Sequence, residues 1–149
     1  MSDNPIRSAA SDSAWSIAMP NNLGGLKKGL NGLGAWLESH KLDMDTENRA
    51  RLVFEEIVTN VIRYGFADAG VHIIRAVAEL DGDDLRLSFE DDGRLFDPTT
   101  APVVAPDHSL ARASIGGRGL ILVRAAARRM DYERTNNGSN RLTVTLPRQ

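Results

Sequence analysis

The sequence predicts an α+β fold, with a mixed, mostly antiparallel sheet and helices on one face. Three observations carry this. Apolar residues recur with a period of two in some segments and at i, i+3, i+4 in others. Two glycine-containing turns, Asp81-Gly82-Asp83-Asp84 and Asn136-Asn137-Gly138, each lie between extended segments. The resulting order is strand, two helices, two strands, long loop, helix, two strands, which lacks the regular alternation of a parallel βαβ sheet.

Residues 1–13, rich in Ser, Ala, Asp and Asn, read as a flexible N-terminal tail, and residues 14–149 as a single domain. Ala14 to Met19 alternates through Trp15, Ile17 and Met19 and predicts an opening strand, ended by Pro20-Asn21-Asn22. Leu23 to His40 repeats leucine at helical spacing, although its five glycines each cost about 1 kcal/mol against alanine. Its GLNGLG run has the wrong spacing for a dinucleotide phosphate loop. The next helix is better marked. Asp43 is its N-cap, Asp45 and Glu47 suit its first turn, and Ala50, Val53, Phe54, Ile57, Val58 and Val61 form its apolar stripe. Gly65 stands near its end. Val71–Leu80 and Leu85–Glu90 read as a hairpin, and Pro98–Ser114 as a loop. Leu120–Met130 reads as a third helix, and Asp131–Thr135 and Arg141–Leu146 as the final strands.

Composition excludes several functions. The chain has 149 residues, 42% hydrophobic and 26% charged, with a net charge of −2. That balance belongs to a globular domain and argues against broad binding to nucleic acid or an anionic membrane. There are no cysteines, which excludes disulfides, thiol nucleophiles and thiolate metal sites and fits a cytoplasmic protein. No apolar run reaches membrane-spanning length, and no secretory signal layout opens the chain. The P-loop, HExxH and GxSxG patterns are missing, and the three histidines are far apart.

The chemistry concentrates in three places. Glu56 and Asn60 stand four apart on the second helix, on one side and off the core stripe. A carboxylate and a carboxamide so placed can hold a hydrated Mg²⁺ and a hydroxyl together. Glu90-Asp91-Asp92-Gly93 ends a strand, where an acceptor followed by glycine suits a flat purine. Gly116-Gly117-Arg118-Gly119-Leu120 leads into an apolar helix, whose free N–H groups favour an anion. Taken alone, each has a plain alternative: an exposed polar pair, an acidic turn, a flexible helix entry.

Taken together, FEEIVTNVIRYGF, EDDGRLFDP and GGRGLILV resemble, in order and spacing, the N box and the two glycine boxes of the GHKL ATPase superfamily. That group includes gyrase, histidine kinases and MutL, and the closest likeness is to the small anti-sigma-factor serine/threonine kinases. The resemblance implies the Bergerat fold, a two-layer α/β sandwich, with ATP and Mg²⁺ as cofactors. It implies Asn60 as the Mg²⁺ ligand, Glu56 as general base, and Asp91 as acceptor from the adenine amino group. Gly93 would lie against the base. Gly117 and Gly119 would cradle phosphates, helped by the Leu120 amide and Arg118. The Pro98–Ser114 loop matches the ATP lid. Relatives often carry His where this chain has Tyr64, and a longer glycine motif where Arg94 and Leu95 stand. Asn140 takes the place of a threonine that helps hold adenine.

The implied activity is phosphorylation of a small antagonist protein on serine or threonine, coupled to sequestration of a sigma factor, with no direct nucleic-acid or membrane contact. A homodimer is a further implication. Two other readings remain open here. One is a non-catalytic ATP/ADP switch acting through partner binding. The other is a small domain without a ligand.

Overall fold

A computed structural model describes residues 13–100 and 117–148. The expected tail and most of the expected lid lie outside the described residues. The elements are β1 (Ala14–Pro20), α1 (Leu23–Ser39), α2 (Met44–Tyr64), β2 (Ile73–Asp81), β3 (Asp84–Asp91), α3 (Gly117–Ala126), β4 (Arg129–Arg134) and β5 (Asn140–Pro147). The strands form one sheet in the order β1-β2-β3-β5-β4, and every pairing is antiparallel rather than mixed.

Period two decides which side of the sheet is dry. Ile74, Ala76 and Ala78 of β2, Leu85, Leu87 and Phe89 of β3, and Leu142, Val144 and Leu146 of β5 are all buried on one face. The helices cover this face. Phe54 of α2 is wholly buried, its ring 6.2 Å from Trp15 and 5.7 Å from Phe89, so one aromatic of the helix ties an edge strand to the central one. The other face carries charge. Arg86 reaches Asp81 at 2.9 Å, and Arg141 lies between Glu90 at 3.6 Å and Glu133 at 3.7 Å. Such solvated pairs each contribute at most about 1 kcal/mol.

Local signals behave as their chemistry requires. Asp43 accepts from the Thr46 N–H at 3.2 Å and caps α2, while Asn22 accepts from the Gly25 N–H at 2.8 Å and caps α1. Gly82 has φ +62° in the two-residue turn between β2 and β3, where a side chain would be strained.

Glycines in α1 are packing notches rather than breaks. A Cβ on Gly25 would lie 2.1 Å from the Pro20 carbonyl oxygen, and one on Gly29 would lie 2.7 Å from Met19 Sδ and from Phe54. The helix thereby sits close against β1 and α2.

The third helix and the strand after it depart from the sequence expectation. The third helix begins at Gly117 and stops at Ala126, not at Met130. The Arg128 N–H donates to the Thr145 carbonyl at 2.7 Å, and Met130 is already paired with Val144. Sheet pairing overrides the helical pattern of the segment.

Candidate functional site

The end of α2, the tip of β3 and the start of α3 surround a cavity of about 180 Å³. Its walls are mostly hydrocarbon, from Ile57, Val61, Phe89, Phe96, Leu120 and Leu142, with Tyr132 beside them. Asn60, Asp91, Arg94 and Asn140 supply polar groups. A slot of this kind takes a flat apolar body with one or two polar edges.

Asp91 belongs to the last β3 position, on the same inner face as Leu87 and Phe89, so the pleat that builds the core also turns this carboxylate inward. It is 9% exposed. Its Oδ1 accepts from the Gly93 N–H at 2.8 Å and from Asn140 Nδ2 at 3.1 Å. Its Oδ2 has no protein hydrogen-bond partner among the described residues. Burial raises the Asp91 pKa, against the bonds from Asn140 and Gly93 and the nearby Arg134 charge, which hold it down. A half-committed carboxylate in an apolar slot is a strong acceptor for an exocyclic amino group.

Asn60 lines the same cavity from α2, and its Nδ2 is buried with no hydrogen-bond partner among the described residues. An unsatisfied buried amide costs about 1–3 kcal/mol, which a ligand repays. Rotation of the carboxamide exchanges its oxygen and nitrogen, so the same position can present an oxygen to a cation. Among the described residues no group of three or more His, Asp or Glu is arranged to hold a metal. Mg²⁺ needs few protein ligands when phosphates and water supply the rest.

Glu56 is one turn before Asn60 and faces the start of α3 rather than the cavity wall. A Cβ on Gly119 would lie 2.4 Å from Glu56 Oε1. Glycine at this position therefore lets the first turn of α3 approach the carboxylate. Glu56 has a raised pKa, first from burial and next from Glu55, with Arg63 acting the other way.

Gly117 and Gly119 occupy the first turn of α3 rather than a loop before it, so their backbone N–H groups belong to the helix N-terminus. Leu120 is fully buried and also forms part of the cavity wall. The expected role of the Arg118 side chain lies outside the described residues.

Gly93 is not on the cavity wall. Its hypothetical Cβ would lie 2.2 Å from the Gly65 carbonyl oxygen, so it lets the strap after β3 pass under the end of α2. The strap is then pinned: the Arg94 N–H donates to Gly65 O at 2.8 Å and Arg94 Nε to Tyr64 O at 3.0 Å.

Asn140 does more than the sequence indicates. Its Oδ1 accepts from Tyr132 Oη at 2.5 Å, Arg134 Nη1 at 3.0 Å and the Phe96 N–H at 3.4 Å. Its Nδ2 donates to Asp91 Oδ1 and, at 2.9 Å, to the Arg94 carbonyl. Both ends of the amide are engaged by protein. Tyr132 and Arg134 were not among the sequence candidates, because only the β4–β5 register brings them to Asn140.

Comparisons agree with this architecture. The sequence matches the family described as histidine kinase-like ATPase domain over residues 19–146. No curated protein matches it. Among solved structures, it resembles a chain carrying the RsbU and RsbW domains of Rv1364c from Mycobacterium tuberculosis. The TM-score is 0.63 at 19% identity, covering 91% of this chain and 32% of that one. It also resembles a chain of the SiaB-SiaC complex from Pseudomonas aeruginosa, with TM-score 0.60, 12% identity and 94% of each chain covered. At these identities the structural likeness is one of fold, and the chain spans about a third of the first protein's length. The family match covers nearly the whole chain, and the fold is shared with both structures: the chain belongs to the histidine kinase-like ATPase family.

Proposed function

We propose that the cavity binds ATP with Mg²⁺ and that the domain, residues 14–149, transfers the γ-phosphoryl group to a serine or threonine of a small antagonist protein. One observation carries the nucleotide reading. Asn60, whose amide nitrogen is unpartnered, and Asp91, whose hydrogen bonds all fall on Oδ1 among the described residues, come from distant parts of the chain and line the same apolar slot.

In this reading Asp91 Oδ2 accepts from the adenine amino group, while Ile57, Phe89, Leu120 and Leu142 enclose the ring. Asn60 is the residue that would hold the metal, which when bound neutralises the triphosphate. The N–H groups of Gly117, Gly119 and Leu120 meet phosphate oxygens at the start of α3. Phosphoryl transfer asks mainly for position and charge compensation. Glu56 takes the proton of the attacking hydroxyl as its oxygen bonds to the γ-phosphorus and the bond to the bridging oxygen breaks, leaving ADP. Its raised proton affinity suits a base.

Partners follow by analogy alone. One similar structure is of a SiaB-SiaC complex, and another carries an RsbW domain. We carry over an antagonist protein as substrate, a sigma factor as the sequestered partner, and a homodimer as the assembly, in the cytoplasm. Among the described residues no helix is long and apolar enough to cross a membrane.

The test is label transfer from γ-³²P-ATP with Mg²⁺ to a candidate antagonist. Transfer is expected with wild type and should fall about 10²- to 10⁴-fold in Glu56→Gln, the usual contribution of a general base. ATP binding by calorimetry without transfer to any antagonist would instead support a non-catalytic switch.

A further inference from the structure

We propose that Arg134 is a positioning residue for base recognition: from the edge strand it fixes, through Asn140 and the Gly93 carbonyl, the direction in which Asp91 presents its free oxygen. This rests on the nucleotide reading above. The guanidinium does two things with one nitrogen. Nη1 donates to Asn140 Oδ1 at 3.0 Å and to Gly93 O at 3.1 Å. Asn140 in turn holds Asp91 Oδ1 at 3.1 Å and the Arg94 carbonyl at 2.9 Å. Arg134 itself is not on the cavity wall, so it acts through these groups rather than on the ligand.

The geometry makes the arrangement directional. Asn140 Oδ1 is held by Tyr132 and Arg134 together, so the amide cannot flip without abandoning both donors. With the amide fixed, Nδ2 must face Asp91. With Oδ1 of Asp91 thus occupied, Oδ2 is the oxygen left for the cavity. Arg134 also places a positive charge near a carboxylate that burial pushes toward protonation. Other charged or titratable groups around Asp91 are Asp92 just past the end of β3, Arg94 on the strap, Tyr64 at the end of α2 and Tyr132 on β4. His72, whose Nδ1 lies 3.6 Å from Asp92 Oδ1, also titrates nearby. All of these remain when Arg134 is changed.

A structural role and this role give different pH dependences. Removing the positive charge lets Asp91 protonate at higher pH, so the defect grows as pH falls; mere loosening of the fold gives a defect that does not follow one carboxylate. The experiment measures ATP affinity by calorimetry from pH 8 to pH 5 for wild type, Arg134→Met, Arg134→Lys, Asp91→Asn and the Arg134→Met/Asp91→Asn double variant. The ligand's own titration cancels in ratios taken at each pH. We expect Arg134→Met to weaken ATP binding about threefold to tenfold at pH 8 and progressively more toward pH 5. Arg134→Lys should keep the wild-type pH dependence. In the Asp91→Asn background the Arg134→Met ratio should be flat with pH. A flat ratio in the wild-type background, or the same slope with Asp91 absent, overturns the proposal while leaving nucleotide binding intact. Failure of wild type to bind ATP overturns the nucleotide reading and this inference with it.

Discussion

Asp91 is kept in a position that burdens the fold and serves the site. Its pKa is raised in the folded chain, so the charged form is less at ease there than in the unfolded chain. The cost is fully present above the folded pKa and is relieved as pH falls through it. Asp91→Asn is therefore expected to leave the ligand-free protein as stable as wild type or more so at pH 7, since the amide oxygen can still accept from Gly93 and Asn140. The same change should weaken ATP binding about tenfold, the loss of one charge-assisted hydrogen bond. Thermal unfolding and calorimetry read the two effects separately, and a loss of Tm with unchanged affinity contradicts the assignment. Asn60→Ala makes a different demand. It should weaken Mg·ATP more than metal-free ATP, and equal losses would remove Asn60 from the metal. Asn60 and Asp91 were legible in the sequence because their spacing within short motifs is enough to recognise them. Asn140 was legible only as a position. Its hydrogen-bonding to Tyr132, Arg134, Arg94 and Asp91 depends on register and on a strap 46 residues distant, which no local pattern encodes.

Among the elements, two glycines test the difference between a rigid and a yielding neighbour. Alanine at Gly93 would press its methyl on the Gly65 carbonyl oxygen at 2.2 Å, and backbone cannot turn aside. We expect Gly93→Ala to destabilise the protein by about 1–3 kcal/mol, the usual cost of overpacking, seen as a lower denaturation midpoint. Alanine at Gly119 meets the end of the Glu56 side chain, which can rotate away. Gly119→Ala should therefore change the denaturation midpoint much less and phosphoryl transfer much more, because the displaced group is the proposed base. The glycines of α1 show the limit of propensity as a guide. Counted singly they argue against a helix, but Gly25 and Gly29 face neighbours too close for any side chain, and that is visible only once β1 and α2 are placed. The end of α3 shows the converse. Its apolar pattern continues past Ala126, and only the pairing of Met130 with Val144 reveals that the chain has entered the sheet.

At the level of the whole molecule, nucleotide and fold are thermodynamically linked. ATP at 100 times its dissociation constant should stabilise the folded chain by about 2.7 kcal/mol, an increase of several degrees in Tm. A thermal scan across ATP concentration, with and without Mg²⁺, checks it, and a concentration-independent Tm would speak against a ligand at this cavity. The antiparallel order and the one-sided core were readable from period and turns, whereas the strand order with β5 between β3 and β4 was not, since it depends on long-range pairing.

One helix, α2, carries Val53, Phe54, Ile57 and Val58 into the interior, Asn60 to the cavity wall and Glu56 to the start of α3. Its two flanks cannot be controlled independently. Melting it to silence the site would dismantle the hydrocarbon that keeps the chain folded, so an off-state reached by unwinding this rod is too costly to serve as regulation. The strap of Gly93 to Phe96 is held by hydrogen bonds to Tyr64, Gly65, Asn140 and Arg134, with the Phe96 ring packed against the core as its one apolar anchor. Hydrogen bonds of that sort exchange for water at little net cost, so the strap yields more readily than the helix, and under the proposed function it is where a bound partner would loosen or tighten the hold on a nucleotide.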